Sequence, residues 1–397
     1  MSQPSDSGFS GDQLFTKPFA VLLVVYFMVM SNLAVFFNFF SYLEQVGVSA
    51  KTAGLLLGVF PLVALAARPM LSSRVHPGNA LPWCISGAVG MAASLAAYAF
   101  VQDVWLLAVL RGFHGLAFVI GLTALISLTV SVVPPLKSGQ AFGAITVANL
   151  FPYAIMPPAV EYVLGNGGTQ GMVFMGAGIV MAAAPPFLWL VSRMEAFSVK
   201  ERPKEEDVLS RREFLDNFKS PVMLFLLAMS GAAYLCFAMV FYFLKSYGGA
   251  IGIHQVGRFF TLTIIFMIGV RVAAFSLFDR WNKARVCGAG LIYVGLCFYL
   301  LGTVRSPWLF FGTGALLGLG WGITMPLIGA LIFDASPPRL RSFNTNMMIE
   351  MIDGGYFLAP TLGAAIASSL GYPAMLYFEA GVAVLFGIGA LRLARKI

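Results

Sequence analysis

Charge is scarce in this sequence. Asp, Glu, Lys and Arg make up 11% of 397 residues and hydrophobic residues 59%, whereas a soluble domain carries about 25% charge. That composition excludes an ordinary water-soluble fold. Histidine is also scarce: the three, His76, His114 and His254, stand at different depths and cannot assemble a metal centre. The four cysteines, Cys84, Cys236, Cys287 and Cys297, lie singly in apolar segments without the close spacing of a zinc or redox motif, and read as small buried hydrophobes. There is no zinc-protease helix motif, no Gly-x-Ser-x-Gly and no phosphate loop. Gly318-Leu319-Gly320-Trp321-Gly322 is glycine-rich, but no Lys-Ser/Thr follows it. An enzyme is therefore not expected, and neither a cofactor nor a bound metal is required.

Long apolar runs are abundant. Segments long enough to cross a bilayer fall near 18–43, 51–71, 81–101, 104–130, 138–164, 170–191, 221–246, 254–278, 284–304, 308–333, 342–369 and 372–393. Twelve spans put both termini on one side. Nineteen of the Lys and Arg residues fall on that side and four (Lys51, Lys245, Arg258, Arg305) on the other, with Arg111 and Arg271 inside spans. By the positive-inside rule both termini are expected in the cytoplasm. The net charge of +8 thus orients the protein and meets anionic lipid rather than nucleic acid. The polar first residues, 1–17, lack the basic start and short apolar core of a cleavable signal. One long polar interruption, 192–220, divides a first set of six spans, 18–191, from a second within 221–397.

The two sets echo each other. Arg68 and Arg271 each close an apolar span, are 203 positions apart, and are followed eight residues later by His76 and Asp279. Pro134-Pro135 matches Pro337-Pro338, and Gly115 matches Gly318, at the same offset. With a one-residue insertion, Asn149 corresponds to Asp353. Two repeated six-helix halves are an architecture of secondary transporters.

At these residues the chain resembles the major facilitator superfamily, from about residue 18 to 393, and its bacterial drug:proton antiporter and arabinose-efflux-like branches in particular. The signature loop between helices 2 and 3 is recognisable in the second half as Ser276-Leu277-Phe278-Asp279-Arg280-Trp281-Asn282-Lys283. In the first half, Arg68 to Gly78, it is degenerate, with His76 where an acidic residue is expected. Arg68, His76, Arg271, Asp279 and Arg280 are therefore assigned to cytoplasmic loop motifs. Arg111-Gly112-Phe113-His114-Gly115, continuing to Gly121, is similar to the helix 4 element of the family. The antiporter motif of helix 5 keeps prolines but not its glycines. The resemblance implies an all-α membrane protein of twelve transmembrane helices in two pseudo-symmetric bundles, with helices 3, 6, 9 and 12 peripheral.

Ionisable groups within the spans are the candidates for function, because charge in hydrocarbon is costly unless it faces protein or water. Asp353 lies roughly 16 Å into a core about 30 Å thick, with Glu350 near one helical turn away. Desolvation favours the neutral form of a carboxyl, so either could carry a proton between states. Arg111 and His114 would form a second polar station of the proton coupling, with Arg111 sensing a carboxylate or binding an anion and His114 either relaying protons or sitting hydrogen-bonded in the core. Glu379 in span 12 and Glu161 near the outer end of span 5 are weaker candidates, and Glu379 reads as structural. Asn32, Asn38, Asn149, Tyr153, Tyr234, Trp321, Thr324 and Tyr356 could line a central pocket, since a few polar tips on an apolar wall orient small ligands.

The expectation is a proton-coupled carrier of the inner membrane, acting as a monomer among lipids by alternating access and exporting a small amphipathic compound or metabolite. An importer of a small anion, metabolite or metal complex is the alternative within transport, and a lipid translocator of the same fold stands beside it.

Overall fold

The computed structural model describes residues 15–72, 74–133, 138–194, 217, 219–273 and 282–395. Asp279 and Arg280 of the second loop motif, Pro134-Pro135 and most of 192–220 lie outside the described residues. Twelve long helices emerge among the described residues. In the first half they are α1 (Lys17–Gln45), α2 (Ala50–Ser72), α3 (Ala80–Tyr98), α4 (Val104–Val132), α5 (Ser138–Gly165) and α6 (Gln170–Ser192). In the second they are α7 (Pro221–Ala250), α8 (Gly257–Ala273), α9 (Lys283–Thr303), α10 (Pro307–Ala335), α11 (Arg341–Leu370) and α12 (Tyr372–Leu393).

Ten are long and apolar enough to cross a membrane. The others are α8, whose described part is 17 residues, and α11, diluted by Asn344, Thr345, Asn346, Glu350 and Asp353. In hydrocarbon every backbone polar group must be satisfied internally, so helices are the solution for these apolar runs.

Local chemistry sets the ends. Asp103, Thr169, Ser220 and Asn282 cap helices by accepting from backbone N–H groups of the first turn, Asp103 from both Trp105 and Leu106 at 2.9 Å. Pro18, Pro221, Pro307 and Pro373 occupy first turns, where a missing N–H costs nothing. Helix α1 tightens into a 3₁₀ turn at Val35–Asn38, and α6 is interrupted at Ala183, just before Pro185-Pro186.

The internal repeat is visible in the packing. A Cβ on Gly115 of α4 would stand 2.4 Å from the Phe60 carbonyl oxygen of α2, and one on Gly318 of α10 would stand 2.2 Å from that of Thr263 in α8. All three pairs of equivalents keep the 203-residue offset when Arg68 and Arg271 are included. The crossings between halves repeat as well: Gly54 of α2 meets the Pro360 carbonyl of α11, and Gly257 of α8 meets Pro157 and Pro158 of α5. Here too the offset is 203, pairing Pro157 with Pro360. The expected one-residue insertion is therefore not needed in α11, and strict correspondence sets Ile352, not Asp353, opposite Asn149.

The halves are joined at the end away from the termini. Glu161 of α5 pairs with Lys245 of α7 and accepts from the Gly257 N–H at 2.7 Å. Glu44 accepts from the Ser246 hydroxyl at 2.9 Å and from the Tyr372 hydroxyl at 3.4 Å, and the Thr261 hydroxyl donates to the Ala154 carbonyl at 2.6 Å. Toward the side of the termini the halves separate around a cavity.

Candidate substrate cavity

The cavity has a volume of about 470 Å³ and is lined from α1, α2, α4 and α5 of the first half and α7, α8, α10 and α11 of the second. None of its lining comes from α3, α6, α9 or α12, which matches their expected peripheral position. Ile126, Thr146, Arg271 and Ile349 of the lining lie in the parts of their helices nearest the termini. The opening therefore faces that side, while the contacts above seal the other. A space of this size suits one small molecule.

Most of the wall is apolar, and its polar groups are few enough to consider singly. Asp353 projects from α11 and accepts from Arg68 Nε of α2 at 2.6 Å. The pair links the two halves and is largely buried, the side chains being 10% and 13% exposed for Arg68 and Asp353 respectively. The sequence pattern places Arg68 in the loop after helix 2. It instead sits inside α2, because the helix continues through Pro69 to Ser72, so it no longer counts toward the basic excess at the surface. Its repeat partner Arg271, assigned likewise to a loop, lines the same cavity from α8 and donates from Nε to the Gly322 carbonyl at 3.3 Å. His76 stays in the turn after α2, where its N–H meets Asn79 Oδ1 at 2.9 Å.

Arg111 also lines the cavity, from α4, and is 2% exposed. Its guanidinium lies over the rings of Phe36 at 4.6 Å, Phe60 at 4.9 Å and Phe39 at 5.7 Å, contacts that hold a desolvated cation. One terminal nitrogen donates to the Leu57 carbonyl at 3.3 Å, and Nε has no partner among the described residues. His114, fully buried, lies outside the lining. Its Nε2 meets Asn32 Oδ1 at 2.7 Å, and its ring is enclosed by Phe36, Phe60 and Tyr98.

Of the residues expected to line a pocket, Asn149, Tyr153, Tyr234 and Tyr356 do so. Asn32, Asn38, Trp321 and Thr324 do not: they are buried between helices. Asn38 donates to Gln170 Oε1 at 3.3 Å, Thr324 to the Gly320 carbonyl at 2.9 Å, and Trp321 stands behind Phe237 at 5.0 Å. Glu350 is 7% exposed and lies beside the lining positions Ile349 and Ile352 without joining them. Glu379 is fully buried, with neither carboxyl oxygen partnered among the described residues.

Tyr242 was not singled out, although it lies eight residues from Tyr234 and so on the same face of α7. Together Tyr153, Tyr234, Tyr242 and Tyr356 make a phenolic lining, with Phe237 and Phe241 set edge-on to Tyr153 at 6.0 and 5.2 Å. No group of three or more His, Cys, Asp or Glu able to hold a metal ion occurs among the described residues.

Comparison with known proteins gives a consistent picture. The model of the Major Facilitator Superfamily matches residues 19–349 and 276–396. The chain is 24% identical over 368 residues to Multidrug resistance protein MdtG of Salmonella paratyphi C (strain RKS4594), covering 87% of each chain. It is 25% identical over 370 residues to the protein of the same name from Citrobacter koseri, covering 87% of this chain and 86% of the relative. In fold it is similar to the nucleoside transporter NupG, with a TM-score of 0.74 and 14% identity over 96% of this chain and 100% of that one. A POT family transporter solved with a thioalcohol-conjugated peptide gives the same TM-score and identity over 95% and 96%.

Proposed function

We propose that this chain, which belongs to the Major Facilitator Superfamily and is a multi-pass membrane transporter rather than an enzyme, is a proton-coupled exporter working by alternating access. The observation that carries the reading is the Arg68–Asp353 pair: an ion pair joining the two halves, set in a cavity that is open on one side and closed on the other. In such a protein the halves rock around a central site, and a carboxylate that ties them together is a natural point for a proton to act.

The steps follow from charge. With Asp353 ionised, the pair is made and the cavity accepts cargo from the side of the termini. Rocking opens the cavity to the other side, cargo leaves, and Asp353 takes a proton there. Protonation removes the attraction to Arg68 and leaves a neutral carboxyl, which crosses the apolar environment at much lower cost than a carboxylate. After the return, loss of the proton restores the pair. Glu350, about one turn before Asp353 on α11, is a second carboxyl able to share this proton. His114 and Asn32 anchor α4 to α1 beside Arg111 and keep that guanidinium aimed at the cavity.

Export is supported by the name of the MdtG relatives, a multidrug resistance protein, and by overall similarity rather than by any one residue. The bacterial inner membrane, with both termini inside and one chain per functional unit, completes the proposal. The basic excess beside the termini supports that orientation.

The test is transport by purified protein in proteoliposomes under an imposed pH gradient. The wild-type protein should move protons when cargo is added. Asp353→Asn should lose gradient-driven transport while still exchanging cargo for cargo, because exchange needs rocking but no proton. Gradient-driven transport that survived this substitution would overturn the coupling assignment.

A further inference from the structure

We propose that the cargo is an amphipathic organic anion, with its acidic group held by Arg271 and its apolar body against the phenolic wall. The proposal rests on the transport reading and goes beyond it by naming the chemical class carried.

The charge balance of the cavity is the first argument. Three arginines, Arg68, Arg111 and Arg271, line it against one carboxylate, Asp353. Adding Glu350, buried just behind the lining, still leaves the cations in excess. Asp353 is committed to Arg68. Arg111 and Arg271 therefore face the cavity with no acidic partner among the described residues. Uncompensated charge at this depth is costly, and an anionic ligand relieves that cost where a cationic one adds to it.

The second argument is the geometry of each arginine. Arg111 is sandwiched by Phe36, Phe39 and Phe60. Those rings satisfy part of its charge, so it acts as a deep positive centre. Arg271 donates from Nε to the Gly322 carbonyl at 3.3 Å. Among the described residues it makes no ion pair, its other polar neighbour being the Tyr234 phenol, and a guanidinium offers five donors in a fork that matches carboxylate, phosphonate or phosphate oxygens. Arg271 also lies in the part of α8 nearest the termini, on the open side of the cavity. The pair tying Arg68 to Asp353 leaves Arg271 as the available one of two equivalent positions.

The rest of the ligand is read from the wall. Tyr153, Tyr234, Tyr242 and Tyr356 present rings with hydroxyl tips, and Phe237 and Phe241 fill the space between them. Such a surface favours a flat or branched apolar body over a small inorganic ion. Export of an anion is also assisted by an inside-negative membrane potential.

The test uses the cavity directly. A single reactive cysteine is placed on the wall as Thr146→Cys, the four native cysteines being buried. It is then modified with sulfonatoethyl and trimethylammonium-ethyl methanethiosulfonates, each rate normalised to that of a free thiol. The anionic reagent should react faster by about 10-fold, within the range over which a like-signed cleft concentrates counter-charge. Arg271→Gln should remove most of that preference and Arg271→Lys should keep it. A ratio at or below one overturns the proposal, and a preference unchanged by Arg271→Gln overturns the role given to Arg271.

Flux assays then compare naphthalene carboxylate, its carboxamide, the matching amine and a labelled phosphatidylglycerol. Movement of the soluble carboxylate supports the proposal. Movement of the amide or amine but not the carboxylate, or of the lipid alone, overturns it and leaves a carrier of other cargo. An anion-preferring cavity without flux of any compound would instead defeat the transport reading, with the charge assignment intact.

Discussion

Arg68 and Arg271 occupy the same position in the two halves, yet they stand in different chemistry. Arg68 on α2 is held by a carboxylate from the opposite half at 2.6 Å, whereas Arg271 on α8 donates to a backbone carbonyl of its own half at 3.3 Å and has no acidic partner among the described residues. Around them the packing is nearly symmetric, with Gly115 against Phe60 and Gly318 against Thr263 at closely similar distances. The repeat thus supplies a symmetric scaffold, and a few side chains break the symmetry. Among the described residues the cavity thus holds one arginine in an ion pair and one without, two chemically distinct positions.

The comparison is broken most severely at Asp353. Asp353→Asn should lower gradient-driven transport on the order of 100-fold, toward the upper end of ordinary coupling free energies, with cargo exchange retained in the same vesicles. The second test sets the arginines against each other. Arg68→Gln strips the partner from a largely buried carboxylate and should destabilise the protein toward the lower end of about 3–5 kcal/mol. Arg271→Gln removes no ion pair among the described residues and should change stability by less than about 1 kcal/mol. Thermal unfolding in detergent distinguishes them, and equal losses would count against the asymmetry.

The symmetric background is tested by Gly115→Ala and Gly318→Ala, which both force a methyl group against a carbonyl oxygen. Each should cost about 1–3 kcal/mol, as overpacking does, and the two values should be similar in the same unfolding assay. Lys245→Ala at the closed end removes a partly exposed tie to Glu161, worth about 1 kcal/mol or less. It should raise the population open on that side, read as a lengthened distance between spin labels at Ser49 and Gly252. The smallest effect is expected at Glu379, buried in α12 without a partner for either oxygen among the described residues. Because a buried polar group without hydrogen bonds is a cost, Glu379→Leu should leave stability unchanged or raise it.

The residues explain what could be read in advance. Apolar runs of bilayer length identify the helices, because lipid admits few other structures. Asp353 and Arg111 stand out since charge there needs a reason, and both line the cavity. Arg68 and Arg271 look like loop residues in the sequence but sit inside helices. Each ends an apolar run, and hydropathy cannot distinguish a helix that stops from one that continues through a polar turn, as α2 does to Ser72. Asn32, Asn38, Trp321 and Thr324 are polar or amphipathic in the right helices, but their direction about the helix axis aims them at neighbouring helices.

Composition and period alone determined the membrane class, the twelve helices and the repeated halves, since these depend on local hydrophobicity and spacing along one chain. Which side of the carrier is open, which arginine meets Asp353 and which is left unpaired were decided only by tertiary structure. Those outcomes depend on helix rotation and on contacts between residues such as Arg68 and Asp353, 285 positions apart, and no local pattern encodes them.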